Sequence, residues 1–187
     1  MRTVWIEQPL TYDGSQLRAH WAYKTTGIAG DVLVGFRGPC RLPVAEIADL
    51  EDVDGPGIAG DDMVHCVCEV FDDGDLGRGV LRQRLLAADA AEVLRELAPR
   101  AALRRRGDDL YVGAGKLSIS VASRSLVSTL IHFAVNASNA GTPVATASLE
   151  DLGVEPVAFG RALLDRAAAE HASLETARCK VRPRGEA

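Results

Sequence analysis

A lysine behind two glycines is the most suggestive chemical feature of this chain. Residues 108–123 read Asp-Asp-Leu-Tyr-Val-Gly-Ala-Gly-Lys-Leu-Ser-Ile-Ser-Val-Ala-Ser. In a phosphate-binding loop such a lysine neutralises phosphates while the helix that follows offers its N-terminus. Three features exclude that loop: position 110 is Leu where the first glycine belongs, position 117 is Leu where Ser or Thr belongs, and the residues after Lys116 alternate as a strand. Alternation puts Lys116, Ser118, Ser120 and Ala122 on one face and Leu117, Ile119 and Val121 on the other. In the next strand Ile131, Phe133 and Val135 are the apolar face, with His132, Ala134 and Asn136 opposite. An antiparallel hairpin turning through 124–127 gathers Lys116, Ser118, Ser120, His132 and Asn136 on one polar floor, and a slip of one residue takes that floor apart. On pattern alone the floor reads either as functional or as the water-facing side of a one-sided sheet.

Other reactive side chains form smaller groups. Cys66 and Cys68 stand two apart in a strand-like run with Val64 and Val70, the company of a buried face. No second Cys/His pair follows at ligand spacing, so structural thiols are expected rather than zinc, and no metal site is assigned. His65 alternates to the other side with Glu69 and reads as a substrate contact or a satisfied core histidine. Cys40, after Gly38-Pro39, has the chemistry of a nucleophile without a base placed by the sequence. Asp49, Glu51, Asp52 and Asp54 offer oxygen ligands or simply a solvated acidic loop. Asp109 is either an Asx residue opening a strand or a polar member of the lysine hairpin.

The elements that must position these groups follow from alternation and turn signals. A first strand over residues 2–10 ends at Tyr12-Asp13-Gly14-Ser15, and a short helix follows over 16–27. A strand over 31–40 runs into a tight Gly38-Pro39 loop; a long acidic loop with one short helix covers 46–62, and 63–71 is a strand. Asp89 and Glu92 have capping-box spacing, which predicts a helix from near Ala90 to Pro99, with 79–87 before it as a strand. Three strand-like pieces then occupy 108–112, 116–123 and 128–138. Ser148 and Asp151 repeat the capping spacing, and Pro156 opens a helix to about His171. Residues 176–182 alternate as a last edge strand, and 183–187 form a flexible tail. The sum is an α+β fold, a mostly antiparallel mixed sheet with two or three helices packed on it, in one domain over 1–187.

Composition narrows the partners. The chain has 187 residues, about half of them apolar, and a net charge of −5, which argues against a sequence-independent nucleic-acid binder. The basic run Arg104-Arg105-Arg106 is too short for a phosphate footprint. No apolar run suits a membrane span and no signal-like segment opens the chain, so a cytoplasmic location is expected.

The ordered motifs then carry a resemblance. Residues 104–123 resemble the lipoate–protein ligase stretch Asn-Asp-Leu, a short spacer, then Gly-Lys-Lys-Ile-Ser-Gly-Ser-Ala. Residues 129–138 are similar to the strand after that lysine hairpin, and Ala147-Ser-Leu-Glu-Asp-Leu-Gly to the Thr-Ser-Leu-x-x-Leu-Gly of lipoyl and octanoyl transferases. Residues 57–71 sit where the ligases have Gly-Gly-Gly-x-Val-Tyr-His, which places His65 on the family's histidine, and Val34-Gly-Phe-Arg-Gly-Pro-Cys places Arg37 in their Gly-Arg loop. The resemblance spans about 30–171. It departs at the glycines, where the ligases' Arg-Arg pair is absent and Asp61-Asp62 stands nearby, and before the Ser-Leu motif, where the octanoyltransferase cysteine is missing. As a whole the chain is identified as a member of domain-of-unknown-function family 366, associated with the biotin/lipoate-ligase and class II synthetase fold.

That resemblance implies a carboxylate attacking ATP, with Mg²⁺, to give an acyl-adenylate, or transfer of an acyl group to an acceptor protein or amine. Lys116 takes the catalytic role, while Arg37, His65, Asp109, Ser118, Ser120, His132 and Asn136 hold substrate. Two other readings stay open: a non-catalytic small-molecule or nucleotide-binding domain, and a homodimeric interaction module.

Overall fold

The structure is a computed structural model and describes residues 1–72, 74–182 and 185. Its larger sheet has the order β1-β2-β3-β8-β7, built from β1 (Arg2–Ile6), β2 (Val32–Leu42), β3 (Ile58–Val70), β8 (Thr129–Asn136) and β7 (Ser118–Arg124). The β1–β2 pair is parallel and the others antiparallel, which makes the sheet mixed and mostly antiparallel as expected. A small sheet joins β4 (Leu103–Arg106), β5 (Asp109–Val112) and β6 (Gly115–Lys116). The helices are α1 (Trp21–Thr26), α2 (Leu76–Leu97) and α3 (Pro156–Lys180). No helix among the described residues is long and apolar enough to cross a membrane.

Alternation along the strands builds two cores. Val64, Cys66, Cys68, Ile131, Phe133 and Val135 pack with Leu86, Ala90 and Leu94 of α2 and Phe159 and Leu163 of α3. On the other side Val32, Val34, Phe36, Met63, Val67 and Ala134 pack with Tyr12, Ala22 and Cys40. Cys66 and Cys68 are therefore core thiols on the helix side, as their spacing implied, and burial pushes both up to about 12.

Four expectations are corrected. Residues 79–87 are helix, not strand: α2 starts fourteen residues before Ala90, at Leu76, and is capped by Asp75, whose carboxylate accepts from the Gly77 and Arg78 amides. Asp89 is a buried mid-helix residue instead of a cap. Residues 176–180 finish α3, which runs to Lys180 and not to about His171; an alanine-rich run without a breaker keeps the helix going, and Arg178 and Lys180 suit its negative C-terminal end. The tail expected over 183–187 lies outside the described residues, apart from Gly185. The Gly38-Pro39 loop is absent because β2 continues to Leu42 with one irregularity between Gly38 and Cys40.

The fourth correction changes the site. In the β7–β8 hairpin Arg124 pairs with Thr129, Val121 with His132 and Ile119 with Ala134. The turn is Ser125–Ser128, closed by the Ser125 amide on the Ser128 carbonyl and by contacts between the two hydroxyls. The observed pairing separates the polar floor: His132 shares a face with Ile119 and Val121, while Ser118 and Ser120 face α2. A turn at 124–127 has the same parity, so the expected floor required a pairing offset by one residue from either turn. The Ser118 hydroxyl accepts from the Leu110 amide at 2.8 Å, and the Ser120 hydroxyl accepts from Gln83 at 3.0 Å.

Candidate functional site: a cavity under the irregular face

The side of the larger sheet away from α2 and α3 is covered by loops, and a cavity of about 280 Å³ lies beneath them. Strand side chains form its floor: Met63, Ile119, Val121, His132 and Asn136. Residues 46–49, 52 and 56–58 close one side, and Thr142, Pro143 and Thr146 close another. Lys116 is the one lysine or arginine among its lining residues; Glu46, Asp49 and Asp52 supply carboxylates.

Lys116 is held there by its hairpin. The glycines of Gly-Ala-Gly-Lys are structural: Gly113 has φ 58° in the turn, and a Cβ on Gly115 would lie 2.8 Å from the Ala147 amide, so glycine lets residues 146–147 pass alongside. The Ala147 amide donates to the Lys116 carbonyl. The Lys116 ammonium lies 3.0 Å from Asp109. Burial pulls the lysine down, but the hydrogen bond and charge of Asp109 outweigh it and hold it above its ordinary value. Asp109 is raised as well, since burial outweighs the lysine's opposing pull. That differs from an exposed ion pair, where the carboxylate falls. Asp109 is thus the lysine's anchor and does not line the cavity.

The other end of the floor is aromatic. Leu10 and Tyr12 run beside β2: the Leu10 amide donates to Arg37, the Tyr12 amide to Pro39, and the Arg41 amide to Tyr12. Gly38 permits this, because a Cβ there would lie 2.2 Å from the Leu10 carbonyl oxygen. The segment lays the Tyr12 ring on His132, with centroids 3.6 Å apart and planes 6° from parallel. Burial, then the charges of Cys40, Asp13 and Glu46, keep the Tyr12 phenol protonated far above its usual range. Behind His132, His65 is fully buried, its Nδ1 3.1 Å from His132 Nε2 and its Nε2 3.2 Å from the Gly38 carbonyl.

Of the sequence-predicted residues, Lys116, His132 and Asn136 come together around the cavity. Ser118 and Ser120 border it with their hydroxyls committed to the helix side. Asn136 is largely a brace: its amide nitrogen donates to the carbonyls of Lys116 and Ala147. His65 lies one layer behind, shut off by His132. Arg37 does not reach the cavity; it pairs with Val64, on the helix side of the sheet, and is held by both oxygens of Asp62 at 2.6–2.8 Å. Cys40 is buried, and burial pushes its thiol up to about 11, which removes it as a nucleophile. Sequence reasoning missed Tyr12, which it read as the start of a turn. Its only signal was an aromatic residue beside a turn, and that points nowhere by itself. The acidic loop does contribute Asp49 and Asp52 to the cavity, and no group of three or more His, Cys, Asp or Glu among the described residues is arranged to hold a metal.

Comparison with known proteins fits this architecture. Residues 1–182 match the family described as "Domain of unknown function (DUF366)", and the chain belongs to that family. A solved protein of unknown function from Pyrococcus horikoshi is 38% identical, with a TM-score of 0.90, covering 97% of this chain and 98% of that one. The fold is that of the biotin and lipoate ligases. Biotin protein ligase from Aquifex aeolicus, solved with biotin and ATP, superposes with a TM-score of 0.59 at 11% identity, covering 90% of this chain and 69% of that one. A candidate lipoate protein ligase from T. acidophilum with bound lipoic acid gives a TM-score of 0.59 at 15% identity, covering 92% and 85%.

Proposed function

We propose that the cavity binds a small organic acid, or an acyl derivative of one, with its carboxyl or carbonyl group at Lys116, and that the chain activates or transfers that acyl group. The observation that carries this reading is the single lining lysine or arginine, half-buried, charged and fixed in place by Asp109. An ammonium so placed stabilises charge developing on a carbonyl or phosphoryl oxygen without reorganising. The fold likeness adds that relatives of this architecture hold biotin with ATP, or lipoic acid.

The residues present limit the donor. Three carboxylates and one ammonium line the cavity, so a bare triphosphate meets a wall of its own sign. Arg37 is spent on Asp62 and supplies no second cation. The lining therefore suits an acyl donor of low charge, and suits ATP only as a magnesium complex facing Asp49 and Asp52. The same carboxylates favour an amine as acyl acceptor. A non-catalytic binding domain is the second reading, favoured by that loss of phosphate-directed arginine.

The test is pyrophosphate exchange into ATP with a panel of carboxylic acids, run beside ligand-induced thermal shift. Acid-dependent exchange that vanishes in Lys116→Ala supports activation. Thermal shifts with acids but no exchange support the pre-activated donor or the binding domain. Lys116→Ala should cost only about 1 kcal/mol of stability, since it unpairs a half-buried Asp109 without opening the core. Acid binding unchanged by Lys116→Ala overturns the assignment.

A further inference from the structure

The two buried histidines form a chain whose direction is fixed at one end. A carbonyl oxygen only accepts, so the contact between His65 Nε2 and the Gly38 carbonyl requires the proton on Nε2. Both imidazoles are neutral: burial holds His65 down at about 4, and burial with the neighbouring His65 holds His132 well below its ordinary value. His65 Nδ1 is then bare and accepts from His132 Nε2–H. His132 has one proton and it is used, so its Nδ1 is bare too. Among the described residues that nitrogen has no hydrogen-bond partner, yet it is not sealed from solvent, and His132 lines the cavity. The Tyr12 hydroxyl is in the same position, on a ring stacked 3.6 Å away. Both open into the cavity floor. Lys116 lies beside Asn136, four residues along β8 from His132, a strand distance of about 13 Å.

We propose that His65 is a positioning residue that fixes His132 as a standing hydrogen-bond acceptor beside the Tyr12 hydroxyl, and that the site's ligand therefore carries a hydroxyl or N–H donor at the end remote from Lys116. This rests on the proposed acid-binding function for the Lys116 end only. A bare imidazole nitrogen in a buried floor rejects a second carboxylate or a plain alkyl end, because either leaves it unpaired.

The first limb of the test needs no ligand. In protein labelled with ¹⁵N-histidine, long-range proton–nitrogen correlation at neutral pH separates bare from protonated ring nitrogens for all 4 histidines. His65 and His132 are expected with both Nδ1 atoms bare. His65→Asn places an amide oxygen where the ring Nδ1 stood and should keep the His132 tautomer, while His65→Leu should let it redistribute; a protonated His132 Nδ1 in the parent protein overturns the proposal whether or not either variant folds. The second limb uses ω-hydroxy and ω-methoxy carboxylic acids of graded chain length as probes. At the best length the hydroxy acid should bind about tenfold more tightly, and the difference should disappear in Tyr12→Phe/His65→Leu. Equal affinity at every length, or no binding by either series, overturns the ligand assignment. A hydroxyl preference that persists while Lys116→Ala changes nothing overturns the acid-binding reading and leaves this one standing.

Discussion

The two faces of the five-stranded sheet are made by the same strands and have opposite characters. On β8, Ile131, Phe133 and Val135 are sealed under α2 and α3, while His132, Ala134 and Asn136, alternating with them, face loops and a cavity. Two long helices cover one face with apolar residues, Leu86, Ala90 and Leu94 of α2 and Phe159, Leu163 and Ala167 of α3, and leave a small cavity beside Asp89. The opposite face is closed by the short helix α1 and by irregular chain, residues 10–18 and 44–57, whose backbone must find partners singly and so leaves room. Stability is therefore concentrated on the helix side and chemistry on the loop side.

The sharpest test of that division is to cut one large side chain from the sealed face. Phe133→Ala should lose about 3–5 kcal/mol in denaturant unfolding, because the helices cannot collapse into the space. Ligand affinity per folded molecule should be unchanged. Tyr12→Phe on the other face should cost less than about 1 kcal/mol while weakening hydroxyl-bearing probes. Were Phe133→Ala to unfold no more easily than Tyr12→Phe, the faces would not differ in the way described.

Acid titration gives a second, smaller contrast, because burial acts on histidines on the loop side and on a carboxylate, Asp89, on the helix side. An unfolded imidazole ionises near 6.5, whereas burial keeps His65 at about 4. The unfolded chain binds more protons between these values, so this contribution is complete above about pH 6.5 and is lost as pH falls to about 4, by about 3 kcal/mol. Asp89, on the helix side, is raised from 3.8 to about 6 by burial and then by Glu170 and Glu92. There the native chain holds the extra proton, so stability falls as pH rises from about 3.8 to about 6. The loss is about 1–2 kcal/mol, reduced because Asp89 borders a small cavity and is not sealed in the core. Unfolding free energies near pH 4 and pH 7 should show His65→Asn flattening the first slope and Asp89→Asn the second. Slopes that move in the same direction would contradict the assignment.

The sequence made one face far more legible than the other. Alternation in β3 and β8 identifies the helix-side core directly, because each inward residue is apolar and each has a regular partner. The first half of α2 was hidden by Gly77 and Gly79, which blur helical spacing, while its true cap, Asp75, lies before them. On the cavity side the decisive facts are local hydrogen bonds. The Ser125 and Ser128 hydroxyls hold the turn at 125–128, and the pairing this gives sets Ser118 opposite Val135 and Ser120 opposite Phe133, on the core side. Tyr12 reaches His132 only through main-chain contacts with β2, which no spacing in the sequence expresses. Lys116 stays at the cavity although Ser118 and Ser120 do not, because it ends β6 in the small sheet and does not alternate with them in β7.

Arg37 supplies the smallest effect and a clean discriminator between family pattern and geometry. By motif it belongs in the substrate site; by register it belongs to the opposite side, forked onto Asp62 of the neighbouring strand β3 with Glu155 nearby. Both partners are partly exposed, so water screens the pair. Arg37→Met should change stability by no more than about 0.5–1 kcal/mol. It should leave the affinity of a carboxylate probe unchanged within twofold, whereas Lys116→Ala should abolish it. The comparison is best made by titrating both variants with the same acid at low ionic strength, where an arginine acting on the ligand from a distance would still be felt. If Arg37→Met weakened binding as much as Lys116→Ala, the two faces would share one site across the edge of β2, and the division between a stabilising face and a chemical face would have to be redrawn there.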